Sequence, residues 1–164
     1  MLAVGDRVVY PSYGAGVIEA IEEHEILGER HNYYVLTIPY GGMKVMIPLE
    51  KVDSVGLRDI IPEVDIPKVA EILSMLPVHS NISWNRRFHL NLTKVKSGSI
   101  FEVAEVVRNL TLQDRMKKLS TGERRLLETA KQILISELVL VCGKDIYSTE
   151  AWVNGLFPAN TPGN

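Results

Sequence analysis

Tyr33-Tyr34-Val35-Leu36-Thr37-Ile38-Pro39-Tyr40-Gly41-Gly42-Met43-Lys44-Val45-Met46-Ile47-Pro48 decides the fold of the first part of the chain. Residues 33–38 are rich in β-branched and aromatic side chains. Gly41-Gly42 then supplies a reversal, and near alternation resumes from Met43 to Pro48. Toward the N-terminus, Arg7-Val8-Val9-Tyr10 is another short strand-prone run, closed by Pro11 and by Ser12-Tyr13-Gly14-Ala15-Gly16, which reads as a turn. Val17 to Glu22 resumes the pattern, and Gly28-Glu29 marks the next reversal. Short strands at intervals of about ten residues predict a small, strongly bent sheet or half-open barrel. Such a sheet has edges, and an exposed edge can pair with a strand of another protein.

Toward the C-terminus the apolar spacing changes from two to three or four. Asp65 caps a short helix with Pro67 near its first position, running Lys68 to Leu73. Pro62, Pro67 and Pro77 make 60–80 the boundary zone. A second helix starts near Ser83 and stops around Ser97-Gly98; a third spans Ile100 to Lys118, with Ile100, Val103, Ala104, Val107 and Leu110 on one face. Ser120-Thr121-Gly122-Glu123 has the pattern of a capping box. It opens a fourth helix whose apolar face runs through Leu126, Leu127, Ala130, Ile133, Leu134, Leu138 and Val141. Ser148 caps a last helix through Trp152, ended at Gly155, and residues 159–164 form a frayed tail. The expectation is an α+β protein: a β-rich domain over 1–62 and a compact helical domain over 63–164.

Charge separates the same two parts. Residues 1–66 hold five Lys/Arg against eleven Asp/Glu, whereas residues 84–131 hold eleven against five, although the formal net charge of the whole is only −2. A basic lobe within a Debye length of phosphate responds to its own charge, so the second domain is a candidate for nucleic acid. The lone Cys142 sits at the end of an apolar helix face and reads as inert filling; it allows no internal disulfide and no thiol metal cluster. No apolar run approaches the ~20 residues of a membrane-spanning helix, and the N-terminus lacks the pattern of a signal peptide. These features place the chain in a reducing cytosol.

Support for catalysis is absent from the sequence. His24, His31, His79 and His89 lack metal-ligand spacing. Gly14-Ala15-Gly16 and Gly41-Gly42 do not precede helices, so neither has the geometry of a phosphate cradle. The informative segment is Ser83-Trp84-Asn85-Arg86-Arg87-Phe88-His89. Trp84 shares a helical face with Phe88, Leu92 and Val95, which suits a core stripe. It also lies in the first turn, where a side chain leaning N-terminally has no earlier turn beneath it and projects past the helix end. An exposed indole beside Arg86, Arg87 and His89 suits nucleic acid, the ring wedging against a base while cations hold phosphates. Arg124 and Arg125 open the fourth helix, where the dipole does not favour positive charge.

Four motifs in order, Val4-Gly5-Asp6-Arg7-Val8-Val9-Tyr10-Pro11-Ser12-Tyr13-Gly14-Ala15-Gly16, Ser83-Trp84-Asn85-Arg86-Arg87-Phe88, Val103-Ala104-Glu105-Val106-Val107-Arg108-Asn109-Leu110 and Leu119-Ser120-Thr121-Gly122-Glu123-Arg124-Arg125, resemble the CarD/CdnL family of bacterial transcription regulators. The similarity runs from about residue 2 to about residue 143. The first motif is shared with a module of the transcription-repair coupling factor; the helical ones are more specific. The resemblance implies a Tudor-like N-terminal domain that docks on the RNA polymerase β subunit by edge-to-edge strand pairing. It implies a helical domain at the upstream edge of the promoter bubble, with Trp84 exposed as a minor-groove wedge and Arg86, Arg87, His89 and Arg124 on DNA. The family has no catalytic activity, cofactor or metal, and the resemblance implies a cytoplasmic monomer. On the polymerase-facing strands, His24 and Met46 stand where family members often carry arginines, leaving Lys44 as the nearby cation. The rival reading is an adaptor whose basic helices bind an acidic protein partner instead of DNA.

Overall fold

In the computed structural model, described for residues 2–76 and 82–159, five strands form one antiparallel sheet in the order β4-β3-β2-β1-β5. These are β1 (Arg7–Tyr10), β2 (Gly14–Ile26), β3 (Glu29–Ile38), β4 (Met43–Pro48) and β5 (Arg58–Asp59). Pro77, His79 and the tail from residue 160 onward lie outside the described residues. The sheet curls around Val8, Ile18, Leu36, Ile38 and Ile47, all at most 2% exposed, and Leu49, Val52, Val55 and Leu57 close its hollow side. Each such aliphatic side chain contributes about 1.5–3 kcal/mol by leaving water. The last four residues come from a turn and the four-residue helix α1 (Val52–Val55), which, like β5, is too short for periodicity to reveal.

Two details of the sheet depart from expectation. Gly14-Ala15-Gly16 is the start of β2, paired with Val8 to Tyr10, and not a turn. The reversal sits in Pro11 to Tyr13, with Ser12 at φ 77°. The glycines serve close approach: a Cβ on Gly16 would lie 2.6 Å from Thr37 O, and one on Gly14 would lie 2.5 Å from Ser136 Oγ. The β2–β3 turn is a two-residue loop, Leu27-Gly28, between the paired residues Ile26 and Glu29, with φ 54° and 80°. His24 of β2 and His31 of β3 are paired opposite each other just before and after this turn.

The helices are α2 (Ile66–Ser74), α3 (Trp84–Lys96), α4 (Ile100–Met116), α5 (Thr121–Cys142) and α6 (Ile146–Leu156). Ser83, Ser99 and Ser120 cap α3, α4 and α5 through their hydroxyls. Gly143, at φ 66°, ends α5 in the left-handed conformation. Asp65 holds the capping position of α2 without a side-chain bond. The cap of α6 is Asp145, whose carboxylate accepts from Ser148 N–H at 2.6 Å; Ser148 is therefore inside the helix, as is Gly155. Buried residues of α2 to α6, among them Leu73, Val107, Leu110, Leu134, Leu138 and Val153, form one core.

The sheet and the helices meet along α5. Ala15 N–H donates to Ser136 Oγ at 2.9 Å, which is why Gly14 has no room for a side chain. Arg58 of β5 makes a bidentate pair with Glu137 of α5, at 2.6 and 2.9 Å, and Ile61 N–H donates to the same carboxylate. Glu137 is fully buried, so the pair is strongly coupled to the integrity of the junction.

Candidate functional site

Trp84 is the first residue of α3 and 44% exposed. It is held on two sides. Its ring stacks on Phe88, one turn later, with centroids 5.4 Å apart and planes 14° from parallel. Its Nε1–H donates to Glu123 Oε1 at 2.9 Å. Both readings of the residue thus contain part of the structure: it continues the apolar stripe toward Phe88, and it still presents ring surface to solvent.

Glu123 is the centre of this corner. Only 2% exposed, its carboxylate accepts from Trp84, from Gln113 Nε2 at 3.2 and 3.3 Å, and from Ser120 Oγ at 3.3 Å. Arg87 Nε lies 3.7 Å from Glu123 Oε2 and has no hydrogen-bond partner among the described residues. The Ser120-x-x-Glu123 spacing is a helix start, with Glu123 N–H donating to Ser120 Oγ at 3.2 Å. The side chain of Glu123, however, serves α3 and α4. Gln113 and Glu123 are the residues that sequence reading missed; a capping-box acid gives no sign that it will face a neighbouring helix.

Of the expected DNA-facing residues, the structure gathers Trp84 and Arg87 at Glu123. Arg124 is nearby at the same end of α5, where its Nη2–H donates to Asp114 Oδ1 at 3.2 Å. Asp114 explains how a cation is accommodated in the first turn. Arg86 and His89 are exposed on the far side of α3, two and five residues on from Trp84, and do not join the cluster. The positive field survives these pairings: among the described residues Arg86, Lys96, Lys117, Lys118 and Arg125 are exposed and form no ion pair with one another or with the rest. An apolar groove of about 380 Å³ opens between α3 and α5, lined by Phe88, Leu92, Val95 and Leu126 with Lys96 and Arg125 at its rim.

The residues expected to face polymerase lie on the sheet. Lys44 and Met46 are exposed neighbours on one face of β4, an edge strand, opposite Thr37 and Val35 of β3. His24 lies two strands away on β2 and touches Tyr33 at 5.7 Å. Lys44 is paired with Glu19 at 3.3 Å; Thr37 and Lys44 together hold the Glu19 carboxyl below its ordinary pKa.

A second cavity, about 260 Å³, lies between α5, α6 and Tyr40, with Glu128, Lys131 and Glu150 on its wall. Burial first, then Glu150 and Glu128, push the Tyr40 hydroxyl above its ordinary pKa, which keeps it a neutral phenol and not an activated base. Among the described residues no group of three His, Cys, Asp or Glu could hold a metal ion, and no helix is long and apolar enough to cross a membrane.

Comparison with known proteins gives the following. Residues 2–61 match the family described as CarD-like/TRCF RID domain, and residues 68–154 match the one described as CarD, C-terminal domain. The Bacillus subtilis protein YdeB is 38% identical over 143 residues, covering 87% of this chain and 94% of its own length. Among solved structures, the N-terminal domain of Myxococcus xanthus CarD is 39% identical over 36% of this chain and 79% of its own, with a TM-score of 0.31. The N-terminal domain of Myxococcus xanthus CdnL is 49% identical over 37% and 86%, with a TM-score of 0.33.

Proposed function

The chain belongs to the CarD family of transcription factors, and from that premise we propose that it is a non-enzymatic regulator that stabilises the open promoter complex. In this reading residues 1–62 dock on the RNA polymerase β subunit and residues 63–164 meet promoter DNA at the upstream edge of the bubble. The supporting observation is the half-exposed, braced indole of Trp84 at the tip of α3 in a basic region. A wedge that fits only a distorted fork binds the open state better than the closed one, and only that difference shifts the equilibrium. A coupling of about 1–3 kcal/mol changes the open fraction several-fold or more. Arg86, Arg87, His89 and Arg124 hold the backbone phosphates.

The β4 edge offers unpaired backbone groups for strand addition, with Lys44 and Met46 beside them and His24 farther along the sheet. Docking there raises the local concentration of a weak DNA binder, so the helical domain need not bind free DNA well. The protein acts without a cofactor, as a monomer in the cytoplasm, reaching the nucleoid through polymerase.

The test is Trp84→Ala in a polymerase–promoter complex. Open-complex lifetime falls several-fold, and co-purification with polymerase is unchanged. An unaltered lifetime with binding intact overturns the wedge and turns attention to an acidic protein partner.

A further inference from the structure

We propose that Glu123 is the positioning residue for Trp84, and that by occupying the indole N–H it makes the wedge indifferent to the hydrogen-bonding pattern of the bases it meets. This rests on the reading of Trp84 as the group that enters DNA. An indole has one donor and no acceptor. That donor is engaged at 2.9 Å with a carboxylate that is 2% exposed, so the ring of this half-exposed residue has no free side-chain donor to offer. What remains can pack and unstack; it cannot read a base edge.

The bracket is built for rigidity. Phe88 supports the ring from within α3, while Glu123 holds its N–H from α5. Gln113 of α4 and Ser120 ahead of α5 hold the carboxylate in turn, so three helices fix one side chain. A buried carboxylate requires compensation, and Arg87 at 3.7 Å is the cation in reach. Arg87 therefore acts inward on Glu123 as well as outward, which distinguishes it from Arg86. A charged acceptor makes a stronger bond than an amide, and a rigid wedge loses less entropy on insertion.

The experiment uses the full chain with Trp152→Phe, which leaves Trp84 as the only indole of the two in the sequence. In ¹⁵N-labelled protein, Glu123→Ala accelerates exchange of the Trp84 indole N–H with solvent about tenfold, raises its collisional quenching, and shortens open-complex lifetime toward that of Trp84→Ala. Glu123→Gln, which keeps a carbonyl acceptor, retains most of the protection but shifts the indole N–H resonance toward weaker bonding. It also decides the matter if the alanine variant does not fold. Unchanged exchange in Glu123→Ala, or an unmoved resonance in Glu123→Gln, overturns the tether. A loosened indole with full lifetime, when Trp84→Ala shortens it, overturns the positioning role. No effect of Trp84→Ala on lifetime removes the wedge reading itself, whatever the exchange data say.

Discussion

Helix α5 carries a buried glutamate near each end, and the two do different things. Glu137 accepts a bidentate guanidinium from Arg58 of β5 and a backbone N–H from Ile61 just after that strand. Glu123 accepts from an indole, an amide and a hydroxyl, with a guanidinium farther off at 3.7 Å. The first carboxylate is closed within the protein and joins the sheet to the helices. The second is closed too, but one of its donors belongs to a ring that remains 44% exposed. Equal burial therefore does not mean equal surroundings: the guanidinium held by Glu137 is 29% exposed, while the indole held by Glu123 belongs to a residue that is 44% exposed.

That contrast can be broken most directly at Glu137. Glu137→Ala leaves Arg58 without its carboxylate and Ile61 N–H without an acceptor, and should lower unfolding free energy by about 3–5 kcal/mol in urea titration. A loss below about 1 kcal/mol would mean that the junction does not depend on the pair. Gly14→Ala tests the neighbouring contact. Its φ of 124° and the 2.5 Å approach to Ser136 Oγ predict a cost of about 1–3 kcal/mol, and a neutral result would show that β2 and α5 can separate without penalty. The smallest effect has the opposite sign and lies away from α5. Leu27 is 99% exposed with φ 54° in a two-residue hairpin turn that favours asparagine, so Leu27→Asn should raise stability by about 0.5–1 kcal/mol. A fall in stability would assign the leucine side chain a packing role that its exposure does not suggest.

Much of the architecture was legible. β-Branched and aromatic content gave β3 from Tyr33 onward, near alternation gave β4, and Ser83 and the Ser120 capping box gave the starts of α3 and α5. Errors fell where one residue type has two uses. Gly14-Ala15-Gly16 looked like a turn because glycine is common there, but it begins a strand that must lie against α5 and β3. Ser148 looked like a cap, but Asp145, three residues earlier, takes its N–H and lengthens α6. Glu137 carried a readable sign: an acid among Ile133, Leu134 and Leu138 on an apolar face calls for a buried partner. Which arginine answers it lies 79 residues away and has no local signal.

The candidate DNA site divides in the same manner. Trp84, Arg86, Arg87 and His89 were singled out because they lie within six residues of one helix, and the family resemblance decided for an exposed Trp84 over a core one. Their division into an inward pair at Glu123 and an outward pair in solvent followed from where α5 packs. The sequence alone determined the change of period near Asp65, the serine starts of α3 and α5, the sign of charge in each half and the family motifs, since all depend on neighbours a few residues apart. Only tertiary structure decided that Glu123 meets Trp84 and that Glu137 meets Arg58. Those contacts join residues 39 and 79 positions apart, and a buried carboxylate finds its donors through packing in three dimensions, not through sequence spacing.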